Sequence, residues 1–287
     1  MSAADSASNV PVQPEIASEK SPRDWSTRAF LGFLGSVTCI YAAVLIYHIA
    51  RPPGSVAADA NLLEKCRQIC LKYGLVSTGN VKQDAEAFLR AAQSRPLTAA
   101  LHELLAEQSF ASEATQSHPL LNQPAPNFEL VNERREQISL SGINLNRPVV
   151  VVFYPGYGCS HCVAQLIALD KDLHSFHELD AEIVAISSDS PDQTAQRFRE
   201  FGRFGFPVLS DADDTMSSAW GVFAPETGGK SEDRKHGTFV VDRNGRVIWA
   251  ATGYEPFLDN RTLLHVIAES QGLIPATDQP KLSQSGD

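Results

Sequence analysis

The chain has 287 residues, 43% hydrophobic and 20% charged, with 18 Gly and 17 Pro; this composition excludes collagen-like, coiled-coil and wholly disordered chains. The 34 Asp and Glu residues outnumber the 24 Lys and Arg and leave a formal net charge of −10, which excludes a nucleic-acid footprint spread over the whole surface. Five cysteines, at 39, 66, 70, 159 and 162, are too few and too scattered for a disulfide-built scaffold.

Residues 1–28 are rich in Ser, Ala, Glu and Pro without apolar periodicity and read as a mobile tail. Residues 29–50 carry no Asp, Glu, Lys or Arg; as a helix they reach about 33 Å, enough to cross a bilayer once. A cleaved signal peptide would show a shorter apolar region of about 7–15 residues behind a short basic start, so the expectation is an uncleaved transmembrane anchor. Trp25, Tyr41 and Tyr47 suit the two interfaces, and Lys20, Arg23 and Arg28 precede the segment. This weak bias predicts a single-pass protein with a cytoplasmic N-terminus and an extracytoplasmic C-terminal part. Cys39, inside the apolar stretch, reads as a packing residue.

Residues 51–118 read as a helical spacer that holds the C-terminal part away from the bilayer or docks a partner. Leu62, Leu63, Cys66, Ile69, Cys70 and Tyr73 recur at three- and four-residue steps and stop near Gly74. Ala85, Phe88, Leu89 and Ala92 make a second apolar face, and Leu97, Leu101, Leu104 and Leu105 a third. Cys66 and Cys70 share one helical face, where a disulfide, half of a metal site and plain burial are all open; the apolar neighbours favour burial.

From Pro119 to Pro275 short apolar strands alternate with helices. Residues 149–154 and 182–187 read as fully buried strands. Helices are predicted over 160–179 and over 191–204, the latter with Pro191 in its first turn. Further strands fall at 206–209, 237–241 and 246–251, with Asn244-Gly245 as the turn between the last two. A final helix covers 258–271, and residues 276–287 form a second mobile tail. The implied architecture is α/β, a mixed sheet flanked by helices.

Cys159-Ser160-His161-Cys162 comes after a predicted buried strand and opens a predicted helix, where unpaired N–H groups and the helix dipole favour a thiolate. Two cysteines so spaced close a small disulfide, one thiol attacking a substrate and the other resolving the mixed disulfide. Half of a zinc site is the competing reading, but no second C-x-x-C or H-x-x-x-H supplies the remaining ligands.

Residues 119–275 resemble the thioredoxin-fold redoxin group that includes peroxiredoxins of the alkyl hydroperoxide reductase/thiol-specific antioxidant type. The resemblance rests on Gln123-Pro124-Ala125-Pro126-Asn127-Phe128-Glu129-Leu130, on Val151-Val152-Phe153-Tyr154-Pro155, on Leu209-Ser210-Asp211, on Trp220-Gly221-Val222 and on the run from Thr238 to Gly245. It implies a thioredoxin-like mixed sheet and antioxidant thiol chemistry. Against the peroxiredoxin pattern P-x-x-x-T/S-x-x-C, Pro155 matches the Pro and Cys162 the peroxidatic Cys, while Cys159 takes the hydroxyl position. His236, or Arg234 if the loop shifts, takes the place of the supporting Arg. Against the thioredoxin pattern, Cys159 attacks, Cys162 resolves, His161 between them tunes the pair or simply faces solvent, and Gly237 replaces a cis-Pro before Thr238. Tyr157 and Phe223 are placed at the mouth of the site, with core or surface packing as the alternative.

The expectation is therefore a membrane-anchored thiol–disulfide oxidoreductase using Cys159 and Cys162. The alternative is a thiol peroxidase with Cys162 peroxidatic and Cys159 resolving. A copper-delivery protein of the Sco type, with Cys thiolates and His236 as ligands, is a third and weaker resemblance. Partners are a protein or small-molecule disulfide or a hydroperoxide, a separate thiol reductant or oxidant, and the bilayer through 29–50. No tightly bound cofactor is required, because the thiols carry the electrons. His102, His118, His174, His177 and His265 read as ordinary helix or loop residues, and Asp242 as turn chemistry.

Overall fold

The computed structural model describes residues 23–50, 54–144, 146–156, 158–227 and 232–275. Of the tail expected over 1–28, residues 1–22 lie outside the described residues, as does the tail expected at 276–287, whereas residues 23–28 form the start of a helix. The chain divides into two units, residues 1–55 and 56–287.

In the first unit, the apolar stretch continues a helix begun by polar residues, α1 (Arg23–Ala50). Its large side chains point to solvent: Phe30, Phe33, Ile40 and Tyr41 are each more than half exposed. Ser36 and Thr38 return their hydroxyls to the carbonyls of Gly32 and Leu34, which satisfies them without a neighbour. The expected transmembrane span is corrected here. Among the described residues no helix is long and apolar enough to cross a membrane.

The second unit opens with α2 (Gly54–Lys72), α3 (Val81–Ala91) and α4 (Leu101–Ala106). The Asn80 side chain caps α3 by accepting from the Gln83 N–H. These helices, expected as a spacer, pack into the same compact unit as everything after them. Cys66, Ala85, Phe88, Leu89 and Leu101 are buried in one core with Leu166, Ile167 and Leu263. The reason is the amphipathic stripe itself: its apolar face finds a partner within the chain.

The remaining elements are β1 (Glu129–Asn132), β2 (Gln137–Ser139), α5 (Leu140–Ile143), β3 (Val149–Phe153), α6 (Ser160–Lys171), α7 (Leu173–Glu178), β4 (Glu182–Ser187), α8 (Pro191–Phe201), β5 (Val208–Ser210), α9 (Thr215–Ala219), β6 (Phe223–Ala224), β7 (Asp233–Arg234), β8 (His236–Val241), β9 (Val247–Gly253) and α10 (Asn260–Ser270). Seven strands form one sheet in the order β2-β1-β5-β4-β3-β8-β9, with β6 and β7 paired apart. β3 runs parallel to β4 and antiparallel to β8, so the sheet is mixed, as expected.

Strand alternation gives the sheet two cores. Val150, Val152, Ile183, Ala185 and Trp249 face α6 and α10, while Val149, Val151, Phe153, Val184 and Phe239 face Trp220 on the other side. All five residues of β3 are buried, each worth about 1.5–3 kcal/mol, which fixes the strand that delivers the chain to the site. Asn244-Gly245 forms the predicted turn: Gly245 has φ +74, and the Asp242 carboxylate accepts from the Asn244 and Arg246 N–H groups.

Candidate active site

The site lies where β3 ends. After Phe153 the Tyr154 N–H donates to the Ile186 carbonyl, and the chain then turns through Pro155 and Gly156. Gly156 has φ +127, and a Cβ there would lie 3.0 Å from an Asp189 carboxylate oxygen; only glycine suits both demands. Tyr157 lies outside the described residues. Cys159 occupies the N-cap of α6 in an extended conformation with no side-chain capping bond, which places its sulfur at the positive end of the helix.

His161 is buried, not solvent-facing. Its Nδ1 lies 2.7 Å and its Nε2 3.6 Å from the Cys159 sulfur, and Nε2 is 3.8 Å from that of Cys162. The Phe88 ring covers it at 5.5 Å between centroids, and His236 faces it at 5.8 Å. Cys162 is fully buried in the first turn of α6.

The structure brings a third thiol to the pair, from the helical face where burial was favoured over a disulfide or half of a metal site. Cys66, from α2, joins Cys159, His161 and Cys162 in a buried group whose ligating atoms all lie within 4.8 Å of one another. Cys70, one turn on, places its sulfur 3.7 Å from His161 Nδ1 and 4.0 Å from the Ser160 hydroxyl. Neither is in a disulfide; all five cysteines are free. Their four-residue spacing on one helical face was the available signal, but it could not say what lay opposite.

Hydrogen bonds first from Cys159 and then from Cys162 hold the Cys66 thiol down at about 5, against its burial. Cys162 moves the other way: burial, then its bonds to Cys159 and Cys66, push its thiol well up. The cluster thus favours the ionised form of Cys66 and the protonated form of Cys162. Burial, and then the neighbouring His161, push His236 well below the usual histidine range, so it is neutral at pH 7. Among the described residues neither of its ring nitrogens has a hydrogen-bond partner.

The other sequence candidates sort by contact. Pro155 and Arg234 border a cavity of about 470 Å³ that also touches Cys66, Cys159, Asp189 and Arg197. The Arg234 guanidinium pairs with Asp214 and Glu232 and stacks 4.5 Å over Phe223. Thr238 is a brace, its hydroxyl accepting from the Gln165 side chain at 2.7 Å and so tying α6 to β8. Gly237 stands where a Cβ would meet the Val222 side chain at 2.4 Å, and no cis peptide occurs among the described residues; close packing accounts for the glycine.

A strand, a cysteine pair opening the next helix and a mixed sheet define a thioredoxin-like thiol oxidoreductase. The model of the AhpC/TSA family matches residues 121–250. Alkyl hydroperoxide reductase E of Mycobacterium bovis is 33% identical over 128 residues, which cover 44% of this chain and 80% of that protein. Peroxiredoxin Q, chloroplastic, of Oryza sativa subsp. japonica is 34% identical over 123 residues, 43% of this chain and 54% of the relative. Among solved structures, peroxidoxin BcpB from Mycobacterium tuberculosis matches 56% of this chain and 99% of its own, at 26% identity and a TM-score of 0.46. The chain belongs to the AhpC/TSA family and is a thiol-dependent oxidoreductase. The family match begins after Cys66 and Cys70.

Proposed function

We propose that this enzyme exchanges electrons with a disulfide, Cys159 attacking and Cys162 resolving. The observation that carries the reading is a contrast: Cys159 borders the 470 Å³ cavity, while Cys162 is sealed behind it. The Cys159 sulfur loses its proton and attacks one sulfur of the substrate disulfide, expelling the other as a thiolate that takes up a proton. Cys162 then attacks the Cys159 sulfur and releases the second substrate thiol, leaving a Cys159–Cys162 disulfide. The substrate gains the two electrons that the pair loses, and a separate dithiol reductant returns them.

A second reading, peroxide reduction led by Cys162, is favoured by the relatives, which carry peroxiredoxin and alkyl hydroperoxide reductase names. Against it stand the sealed, protonated Cys162 and the engagement of Arg234 with Asp214 and Glu232. The test is the rate at which the reduced protein loses thiols to hydrogen peroxide and, separately, to a small disulfide. A peroxide rate near that of free cysteine, with disulfide reduction abolished in Cys159→Ser, supports the first reading. A peroxide rate orders of magnitude faster, abolished in Cys162→Ser, replaces it with the second.

We also propose that the exposed apolar side chains of α1 attach the enzyme to a membrane. The support is the charge-free stretch 29–50 and the exposure of Phe30, Phe33, Ile40 and Tyr41. Retention in the membrane fraction after an alkaline wash is expected, and release by salt alone would contradict it.

A further inference from the structure

We infer that Cys66, Cys159, His161 and Cys162 form a zinc(II) site in the reduced protein, one that opens when the Cys159–Cys162 pair is oxidised. The inference goes beyond the proposed disulfide chemistry, and its redox gating rests on that reading.

The donor set carries the argument. Three thiols and one imidazole make the Cys₃His combination of structural zinc sites, which take four ligands in a tetrahedron. All four residues are buried and their ligating atoms fall within 4.8 Å of one another, a closed site with no position left for water. With Zn–S of about 2.3 Å and Zn–N of about 2.0–2.1 Å, the edge between a sulfur and a nitrogen of the tetrahedron is about 3.6 Å. His161 Nε2 stands at 3.6 Å from the Cys159 sulfur and 3.8 Å from that of Cys162, so Nε2 is the ligating nitrogen. On binding, the Cys159 sulfur exchanges its 2.7 Å contact with Nδ1 for the ion. Nδ1 then keeps the Cys70 sulfur, at 3.7 Å, as an outer partner that orients the ring.

Sulfur donors select a thiophilic ion over magnesium or calcium, and a fourfold N/S set suits zinc. Three donors come from the start of α6 and the fourth from α2, so the ion staples the preceding helices onto the redoxin sheet. Oxidation of Cys159 and Cys162 by a substrate disulfide passes two electrons to that substrate and removes two ligands as one new S–S bond. Cys66 and His161 alone cannot hold the ion, so it leaves.

The test uses the full chain, reduced and stripped of metal, titrated with zinc against a chromophoric chelator and, separately, with cobalt(II). One equivalent of zinc, with cobalt giving intense tetrahedral visible bands and a sulfur-to-cobalt charge-transfer band, is the expected result. Cys66→Ser and Cys66→Ala are expected to weaken binding by at least about 100-fold, comparable to or beyond the loss of an outer partner, whereas Cys39→Ser, in α1, leaves it unchanged. The oxidised protein is expected to bind none. Absence of zinc binding by a reduced protein that still forms the Cys159–Cys162 disulfide overturns the site and leaves the redox reading standing. Stoichiometric zinc binding with no such disulfide under any oxidant leaves the site but removes the gating and the redox reading together. A Cys66–Cys159 disulfide in place of metal binding would make Cys66 a third redox thiol and overturn the inference.

Discussion

The redoxin sheet and the helices before it are built on different logic. In the sheet, β3 and β4 are hydrogen-bonded to their neighbours along their edges and buried by apolar cores on both faces. The preceding layer, residues 62–92, has one apolar face, laid on α6 through Ala85, Phe88 and Leu89, and depends on polar ties as well. The buried Asp84 carboxylate accepts from the Ser77 hydroxyl and from the Thr78 N–H and hydroxyl, which pins the turn between α2 and α3. The sheet supplies the cysteine pair, and the helical layer supplies a third thiol and the lid over His161. What distinguishes this site therefore comes from residues that precede the family match at 121–250.

Substitutions can separate the two contributions. The largest effect belongs to the pair: Cys159→Ser is expected to lower turnover by at least about 10³-fold, and Cys162→Ser to accumulate an unresolved mixed disulfide visible by mass spectrometry. Phe88→Ala should cost about 3–5 kcal/mol, because the ring packs against both His161 and Tyr73; the check is the denaturation midpoint of the reduced protein. A cost below about 1 kcal/mol would mean that the helical layer is a loose appendage.

Asp84→Ala should cost about 1–3 kcal/mol by leaving its donors unpaired. Burial opposes the charge on Asp84, but the bonds from Thr78 and Ser77 outweigh it and hold its carboxyl below 3.8. Its contribution is therefore complete above that pH and lost as pH falls through the lower folded value.

His236 gives the smallest effect per step. Its folded value lies well below 6.5, so below about pH 6.5 the unfolded chain takes up a proton that the buried ring refuses. Stability should fall by up to about 1.4 kcal/mol per pH unit there, and His236→Phe should flatten that slope. An unchanged slope in the variant would place the titrating group elsewhere.

Legibility in the sequence tracked the size of the local signal. β3, β4 and the turn at Asn244-Gly245 were readable from continuous apolar runs and turn residues. The helix expected over 160–179 breaks at Asp172 because that carboxylate is claimed from afar, by the Leu97 N–H and the Asn260 side chain; no local pattern announces such a demand. β1, β2 and α9, at three to five residues each, are too short to show a period. The cysteine pair was legible from its place between strand and helix. The roles of Cys66 and Thr238 were not, since each depends on what tertiary packing sets across from it: Cys159 in one case and Gln165 in the other.

The most direct test of the account is peptide mapping of the full chain after one equivalent of a small disulfide is added to the reduced, metal-free protein. A single Cys159–Cys162 disulfide with Cys66 and Cys70 still free is the expected result; Cys159 and Cys162 remaining reduced while the substrate is consumed would contradict disulfide exchange by this pair.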